Sequence, residues 1–168
     1  MQPATAAKSM DKSAREGKYL FFELAGEEFG IQVTQVREIM GLQNIAAVPQ
    51  TPEYVKGVIN LRGKAVPVVD LRRKFSLPAA EYTPRTCIIV VQAAQDADSP
   101  VMGIVVDGVT EVLTVPAAEI EDTPKFGNEP PPACLIGIAK SKNKIRILMD
   151  IEGVLTSQEL HGVSSLAV

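Results

Sequence analysis

An internal repeat restricts the folds open to this chain more than any other feature of its sequence. The segment 29–40 aligns without gaps on the segment 102–113, at an offset of 103 − 30 = 73 residues. Both copies contain an apolar residue, Gly and Ile, then a Thr or Asp suited to capping, and then Val, Glu and two apolar residues. A repeat unit of about 70 residues buries little apolar surface alone, so we expect two related halves that share a core.

A second block repeats further along the chain at an offset of 137 − 57 = 80 residues. Four positions recur in the same order: Pro52, Gly57, Lys64 and Asp70 match Pro132, Gly137, Lys144 and Asp150. Gly63 matches Asn143, and Gly and Asn are the residues that best tolerate the left-handed backbone of a tight turn. Arg62 is matched by Lys142, which keeps the charge but loses the planar guanidinium, so Arg62 is a candidate functional residue.

The local patterns predict a mainly β chain. Runs of apolar and β-branched residues bounded by turn residues predict strands at 19–24, 29–33, 65–69, 87–91, 101–106 and 145–149. With the matching segments of the repeat, the count is about nine or ten short strands. Pro67 inside one of them suggests an edge position or a bulge. The pattern favours a β-barrel class over a helical or doubly wound one.

One or two short helices complete the prediction. Thr34 offers an N-cap oxygen, Val36, Ile39 and Met40 are spaced three to four apart, and Gly41 follows them. The segment 150–160 is a candidate closing helix. We expect tails at 1–17 and 161–168 and repeat halves at about 18–84 and 85–155; exchange of strands between the halves stays open.

The composition disfavours most enzymatic and nucleic-acid functions. The chain of 168 residues has one His, 5% aromatic residues and a net charge of −3, so it lacks a basic or aromatic surface for nucleic acid. Cys87 and Cys134 are expected to be free thiols. We find no candidate catalytic residues, metal ligands or cofactor motif. Without a signal peptide or a bilayer-spanning segment, the expected location is the cytoplasm.

Four sequence blocks resemble the CheW-like domain family of chemotaxis coupling proteins. The most specific is the block 57–72, with Asn-Leu-Arg-Gly followed by Val-Pro-Val-Val-Asp-Leu-Arg, and it is supported by the blocks 28–39, 103–109 and 147–151. The resemblance covers residues 18–160. It implies two five-stranded SH3-like β-barrels that pack on each other and no catalytic activity.

The resemblance also implies the partners. Members of this family couple methyl-accepting chemotaxis receptors, at the cytoplasmic tip of their helical hairpin, to the regulatory domain of the histidine kinase CheA. Two alternatives stay open: a CheW-like coupling protein of a non-motility pathway, and a β-barrel that binds nucleic acid or an oligosaccharide. The residues that would contact the kinase are not indicated.

The same resemblance, together with the repeat, indicates a receptor-binding site. It implies that Arg62 contacts the receptor and that Glu38 pairs with Arg62. The apolar residues beside them are either ordinary core or the lining of a groove between the barrels that accepts a helical tip. The predicted receptor-binding residues are Arg62, Val36, Glu38, Ile39, Val33, Gly57, Val105 and Val109.

Overall fold

The computed structural model describes residues 15–92, 100–124, 134–141 and 143–154 and shows a mainly β chain. These residues form eleven strands: β1 Gly17–Leu24, β2 Glu27–Gln32, β3 Val36–Gly41, β4 Val55–Leu61, β5 Lys64–Asp70, β6 Cys87–Gln92, β7 Val101–Val106, β8 Gly108–Val115, β9 Ile120–Glu121, β10 Leu135–Ser141 and β11 Lys144–Met149. One short helix, α1 Leu71–Lys74, and three single 3-10 turns complete the described elements. The predicted fold class is confirmed.

The strands form two sheets of the same internal order. The six-stranded sheet runs β8-β1-β2-β11-β10-β9, and the five-stranded sheet runs β3-β6-β7-β5-β4. The first five strands of the larger sheet match the smaller sheet one for one. The two-residue strand β9 is matched by a single bridge between Ala46 and Val58.

Each sheet takes strands from both halves of the sequence. The hairpin β1–β2 of the first half lies in one sheet with β8, β9, β10 and β11, and the hairpin β6–β7 of the second half lies in one sheet with β3, β4 and β5. The hairpins enter through parallel pairs, β2 with β11 and β5 with β7. All the other strand pairs are antiparallel, so the two halves are tied together by hydrogen-bonded ladders as well as by packing.

Gly57 and Gly137 recur in the repeat because the backbone has no room for a side chain there. Both have a positive φ, +143° and +155°, and both lie at a register shift with the neighbouring strand. A Cβ on Gly57 would lie 2.1 Å from the carbonyl oxygen of Ala46, and one on Gly137 would lie 2.9 Å from that of Glu121. Close backbone approach therefore accounts for the repeated glycine.

Three apolar clusters hold the fold, and the largest lies between the two sheets. It combines the inward faces of both sheets through buried residues that include Leu20, Phe22 and Ile31 of the larger sheet and Val69, Ile89 and Ile104 of the smaller one. Each sheet also has a smaller cluster of its own. The predicted shared core is present.

Polar contacts join the halves at two equivalent places. After β7, the Arg72 guanidinium donates to both carboxylate oxygens of Asp107, at 2.9 and 2.7 Å, and Ala25 N also donates to Asp107. The hydrogen bond from Arg72 lowers the pKa of Asp107 below its ordinary value. At the equivalent place after β2, the neutral side-chain amide of Gln35 donates a hydrogen bond to Asp150 and accepts one from Ile151 N.

The predicted helix over residues 34–40 is wrong. After a 3-10 turn at Val33–Gln35, the chain forms the strand β3, which pairs with β6. Its residues alternate between half-buried and exposed, with Glu38 in the half-buried row. A charged residue at an inward position broke the apolar alternation that signals a strand, so the remaining apolar residues had helical spacing.

Other expectations differ in detail. Pro67 lies in β5, an interior strand, and its residue pairs with β7 begin only at Val68. Arg15, expected in a tail, is buried and donates to the carbonyl of Ile136. Of the proposed closing helix, the described part is one 3-10 turn at Ile151–Gly153; residues after 154 lie outside the described ranges.

The two cysteines are free thiols, as expected. Cys134 is buried and Cys87 is half-buried, and burial raises the pKa of both thiols. Among the residues that the structure describes, no helix has the length and apolar character needed to cross a membrane.

Candidate functional site

The turn between β4 and β5 holds Arg62 in an unusual backbone conformation. Arg62 and Gly63 both have a positive φ, +51° and +84°, as in the hairpin turns whose twist matches the flanking strands. The side chain of Asn60 accepts a hydrogen bond from Gly63 N at 2.9 Å and holds the turn. A left-handed conformation costs an ordinary L-residue about 1 to 2 kcal/mol, so folding alone does not favour Arg here.

The guanidinium of Arg62 is exposed and is held by Glu38. Its Nη1 lies 2.6 Å from Glu38 Oε2, with relative side-chain exposures of 75% for Arg62 and 27% for Glu38. Glu38 lies on β3 and Arg62 follows β4, and these are the two outer strands of the five-stranded sheet. The pair therefore connects opposite edges of the curled sheet and presents a positioned cation to solvent.

Exposed apolar residues accompany this pair. Ile39 follows Glu38 on the opposite face of β3 and is 47% exposed, and Val33 precedes the strand and is 37% exposed. Arg37, on the same face as Ile39, donates to the side chain of Gln92 at 2.6 Å. The edge strand β3 thus offers solvent an apolar surface beside charged and amide groups.

Val36 and Val109 occupy equivalent positions at the start of the edge strands β3 and β8. Both are half-buried and pack against the core between the sheets. Each also lies at a register shift. In the pair of β3 with β6 the shift falls between Val36 and Glu38, and in the pair of β8 with β1 it falls between Phe21 and Phe22, the latter being the partner of Val109. They belong to different sheets, so the structure places them at the margins of the shared core and not on one strand.

Val105 and Gly57 are not part of an exposed surface. Val105 is 3% exposed and belongs to the cluster of the five-stranded sheet, so it could act on a receptor only through the residues that cover it. Both faces of β7 are buried, with Met102 and Ile104 in the core between the sheets and Val105 in the cluster of its own sheet. Gly57 is also buried against the backbone of Ala46, and its conserved role between the halves is steric. The remaining predicted residues reach solvent at least partly.

The six-stranded sheet carries the same glutamate in a different setting. Glu111 on β8 is the counterpart of Glu38, and its Oε2 lies 3.2 Å from Nη2 of Arg146 on β11. The Arg146 side chain is only 7% exposed; it lies over the ring of Phe21, 4.9 Å from the centroid, and its Nε is 3.4 Å from Glu28. Here the cation is buried among its partners.

Sequence reasoning missed two residues that shape the site. Asn60 holds the turn that displays Arg62, and its loss in the second copy, where Lys140 stands, was the available signal. The burial of Arg146 had no signal in the sequence, because its neighbours Glu28, Glu111 and Phe21 are far from it along the chain.

Comparison with known proteins gives one family. The model of the CheW-like domain matches residues 18–159. The chain is 37% identical over 164 residues to a chemotaxis protein CheW of Klebsiella aerogenes, covering 98% of this chain and 96% of the relative. It is 36% identical over 141 residues to a chemotaxis protein CheW of Bacillus subtilis, covering 84% of this chain and 88% of the relative.

A solved structure supports the same family assignment. The crystal structure of the scaffolding protein CheW of Thermoanaerobacter tengcongensis superposes with a TM-score of 0.71 at 32% sequence identity. The superposition covers 81% of this chain and 90% of the solved one. The likeness therefore extends over both sheets and over most of the sequence.

Proposed function

The chain belongs to the CheW-like domain family, and from that premise we propose that it couples chemoreceptors to the histidine kinase CheA. The family is one of chemotaxis scaffolding proteins and not of enzymes. In our proposal one surface binds the cytoplasmic tip of a methyl-accepting receptor and another binds the regulatory domain of the kinase. The protein acts in the cytoplasm and is recruited to receptor arrays.

We place the receptor contact at Arg62, and one observation carries that assignment. The exposed guanidinium stands in a left-handed turn position that disfavours Arg, and Glu38 fixes its direction. An exposed ion pair stabilises a fold by only about 0 to 1 kcal/mol, which is too little to account for the unfavourable conformation. The hairpin turn needs a positive φ at this position but does not need an arginine, and such a mismatch between residue and conformation is typical of functional positions.

The surroundings of Arg62 suit a helical partner. Ile39, which follows Glu38 on β3, and Val33, which precedes that strand, supply exposed apolar area, and Val36 supplies a half-buried margin. A helix binds such a surface by apolar anchors one turn apart and by an acidic or amide group placed for the guanidinium. Val109 would belong to the same contact only if the partner spans both sheets.

The experiment that tests this assignment is capture by a soluble receptor fragment and, separately, by the kinase. Arg62→Ala should weaken capture by the receptor fragment about tenfold or more, since a hydrogen bond to a charged group contributes about 1.5 to 3 kcal/mol. Capture by the kinase should be unchanged. Loss of both would contradict a separate receptor contact at Arg62.

The chain offers a matched control for this substitution. Arg85 and Glu23 form another exposed pair at 2.7 Å, with side-chain exposures of 62% and 34%. Arg85→Ala removes the same chemistry from another surface and should leave receptor capture unchanged. The double exchange Glu38→Arg with Arg62→Glu then distinguishes two roles: restored capture means that the pair as such is required, and lost capture means that the guanidinium at position 62 is.

A further inference from the structure

The proposed receptor contact occurs on one sheet only, although the strands and the key glutamate of the two sheets are equivalent. Glu38 and Glu111 stand opposite Val90 and Phe21 in matching registers. The next two strands match through the pairs Val90 with Gly103 and Phe21 with Gly30. Because the frames superimpose, a difference in partner choice must come from side chains within the frame.

The decisive difference lies on β5 and β11. Val68 and Leu148 are equivalent, since they pair with Gly103 and Gly30, and two residues earlier stand Val66 and Arg146. In the six-stranded sheet Arg146 lies between Glu28, Glu111 and the Phe21 ring. In the five-stranded sheet the equivalents of Arg146, Glu28 and Phe21 are Val66, Val101 and Val90, all packed in that sheet's apolar cluster.

We propose that Val66 is a specificity-determining residue, because it leaves the inner face of the five-stranded sheet without a cation and so leaves Glu38 to hold Arg62. In the other sheet Arg146 supplies such a buried cation and pairs with Glu111, whose own side chain stays 44% exposed. This inference rests on the proposed receptor contact, and it adds the reason why the contact is confined to one sheet.

Electrostatics supports this division. Arg146 reaches Glu111 at 3.2 Å from a buried position above an aromatic face, where a charge interaction is stronger than at the surface. A cation at position 66 would stand in the same relation to Glu38 and would compete with the exposed guanidinium of Arg62. The cation at position 66 would bind Glu38 more strongly than Arg62 does, because solvent screens a charge near the interior less than one at the surface.

The test is Val66→Arg, with Val66→Met as the control for side-chain length without charge. Val66→Arg should weaken capture by the receptor fragment about tenfold, as Arg62→Ala does, because the guanidinium loses its fixed direction. Val66→Met should capture the fragment as the unchanged protein does, and both variants should keep capture by the kinase. Equal receptor capture by all three folded proteins would overturn the proposal.

A second readout separates this inference from the proposed function. Nitrogen relaxation of the Arg62 guanidinium reports its mobility without any partner, and it should rise in Val66→Arg and in Glu38→Gln but not in Val66→Met. If Arg62→Ala leaves receptor capture intact, the proposed contact fails while this measurement still decides the role of Val66. Failure of Val66→Arg to fold, with Val66→Met folded, would also overturn the proposal, because it would show that the core alone requires valine.

Discussion

Each of the two sheets has a glutamate on an edge strand, and the two glutamates pair with arginines in opposite settings. In the five-stranded sheet Glu38 turns to an exposed Arg62 on the rim, and the interior beneath it is apolar. In the six-stranded sheet Glu111, whose side chain is 44% exposed, pairs with Arg146, whose side chain is only 7% exposed. The same backbone frame therefore carries an exposed arginine in one copy and a buried arginine in the other.

This difference shows that the two copies of a duplicated fold can keep the same backbone and strand order while their side chains diverge. The repeated glycines, the strand order and the caps at Asp70 and Asp150 are maintained in both copies. The copies diverge in side chains at positions such as 62, 66 and 146, which change the ion pairs while the order of the five matching strands stays the same. Those positions are where function can change without loss of the fold.

The largest effect is expected from breaking the shared frame. Gly57→Ala should lower the free energy of unfolding by about 4 kcal/mol, because the Cβ would lie 2.1 Å from the Ala46 carbonyl oxygen. Gly137→Ala should cost less, because the corresponding distance is 2.9 Å. Urea unfolding of both variants measures the difference. Equal losses would mean that the positive φ, and not the contact, limits both sites.

The next effect concerns the buried Arg146 of the six-stranded sheet and its ion pairs. Arg146→Ala should destabilise the protein by about 2 kcal/mol, because it removes packing on Phe21 and leaves Glu28 and Glu111 without their shared cation. Chemical denaturation compared with Arg62→Ala checks this. A smaller loss for Arg146→Ala than for Arg62→Ala would refute the contrast between a buried and a displayed cation.

Two polar contacts connect the halves, one between Arg72 and Asp107 and one between Gln35 and Asp150. Only the first is an ion pair, so lowering the pH should distinguish them. The pKa of Asp107 is lowered by Arg72 from its ordinary value of 3.8, so its stabilisation is complete above that value and is lost as the pH falls through the lower folded-state pKa. Asp107→Asn should cost about 1 kcal/mol at neutral pH and less in acid. Unfolding midpoints measured at pH 7 and in acid provide the test.

Gln35→Ala serves as the counterpart at the other join, where the contacts to Asp150 and Ile151 come from a neutral amide. Added salt should weaken the contribution of Arg72 and Asp107 more than that of Gln35. If the cost of Asp107→Asn is the same at both pH values, the hydrogen bonds to Asp107, and not its charge, hold that join.

The smallest effect on stability is expected at the proposed contact itself. Arg62→Ala should change the free energy of unfolding by less than about 1 kcal/mol, because the pair with Glu38 is exposed. Thermal unfolding of this variant beside Arg85→Ala is the measurement. A large loss would assign Arg62 to the fold and would weaken the case that its strained turn serves binding.

The sequence predicted the β class and most strands because alternating or continuous apolar runs act locally. It failed at residues 34–40, where Glu38 occupies an inward position in β3 and removes the alternation. The failure is informative, because the residue that broke the pattern is the one that holds Arg62. The burial of Val105 follows from packing on both faces of β7, one against the core between the sheets and the other within the cluster of the five-stranded sheet.

The sequence by itself determined the duplication, the family and the position at which the copies diverge, because these are properties of residue order. Only the tertiary structure decided that hairpins are exchanged between the sheets and that Glu38 and Glu111 take different partners. Those outcomes depend on distances between residues remote along the chain. Strand pairing and burial fix such distances, and the repeat pattern does not encode them.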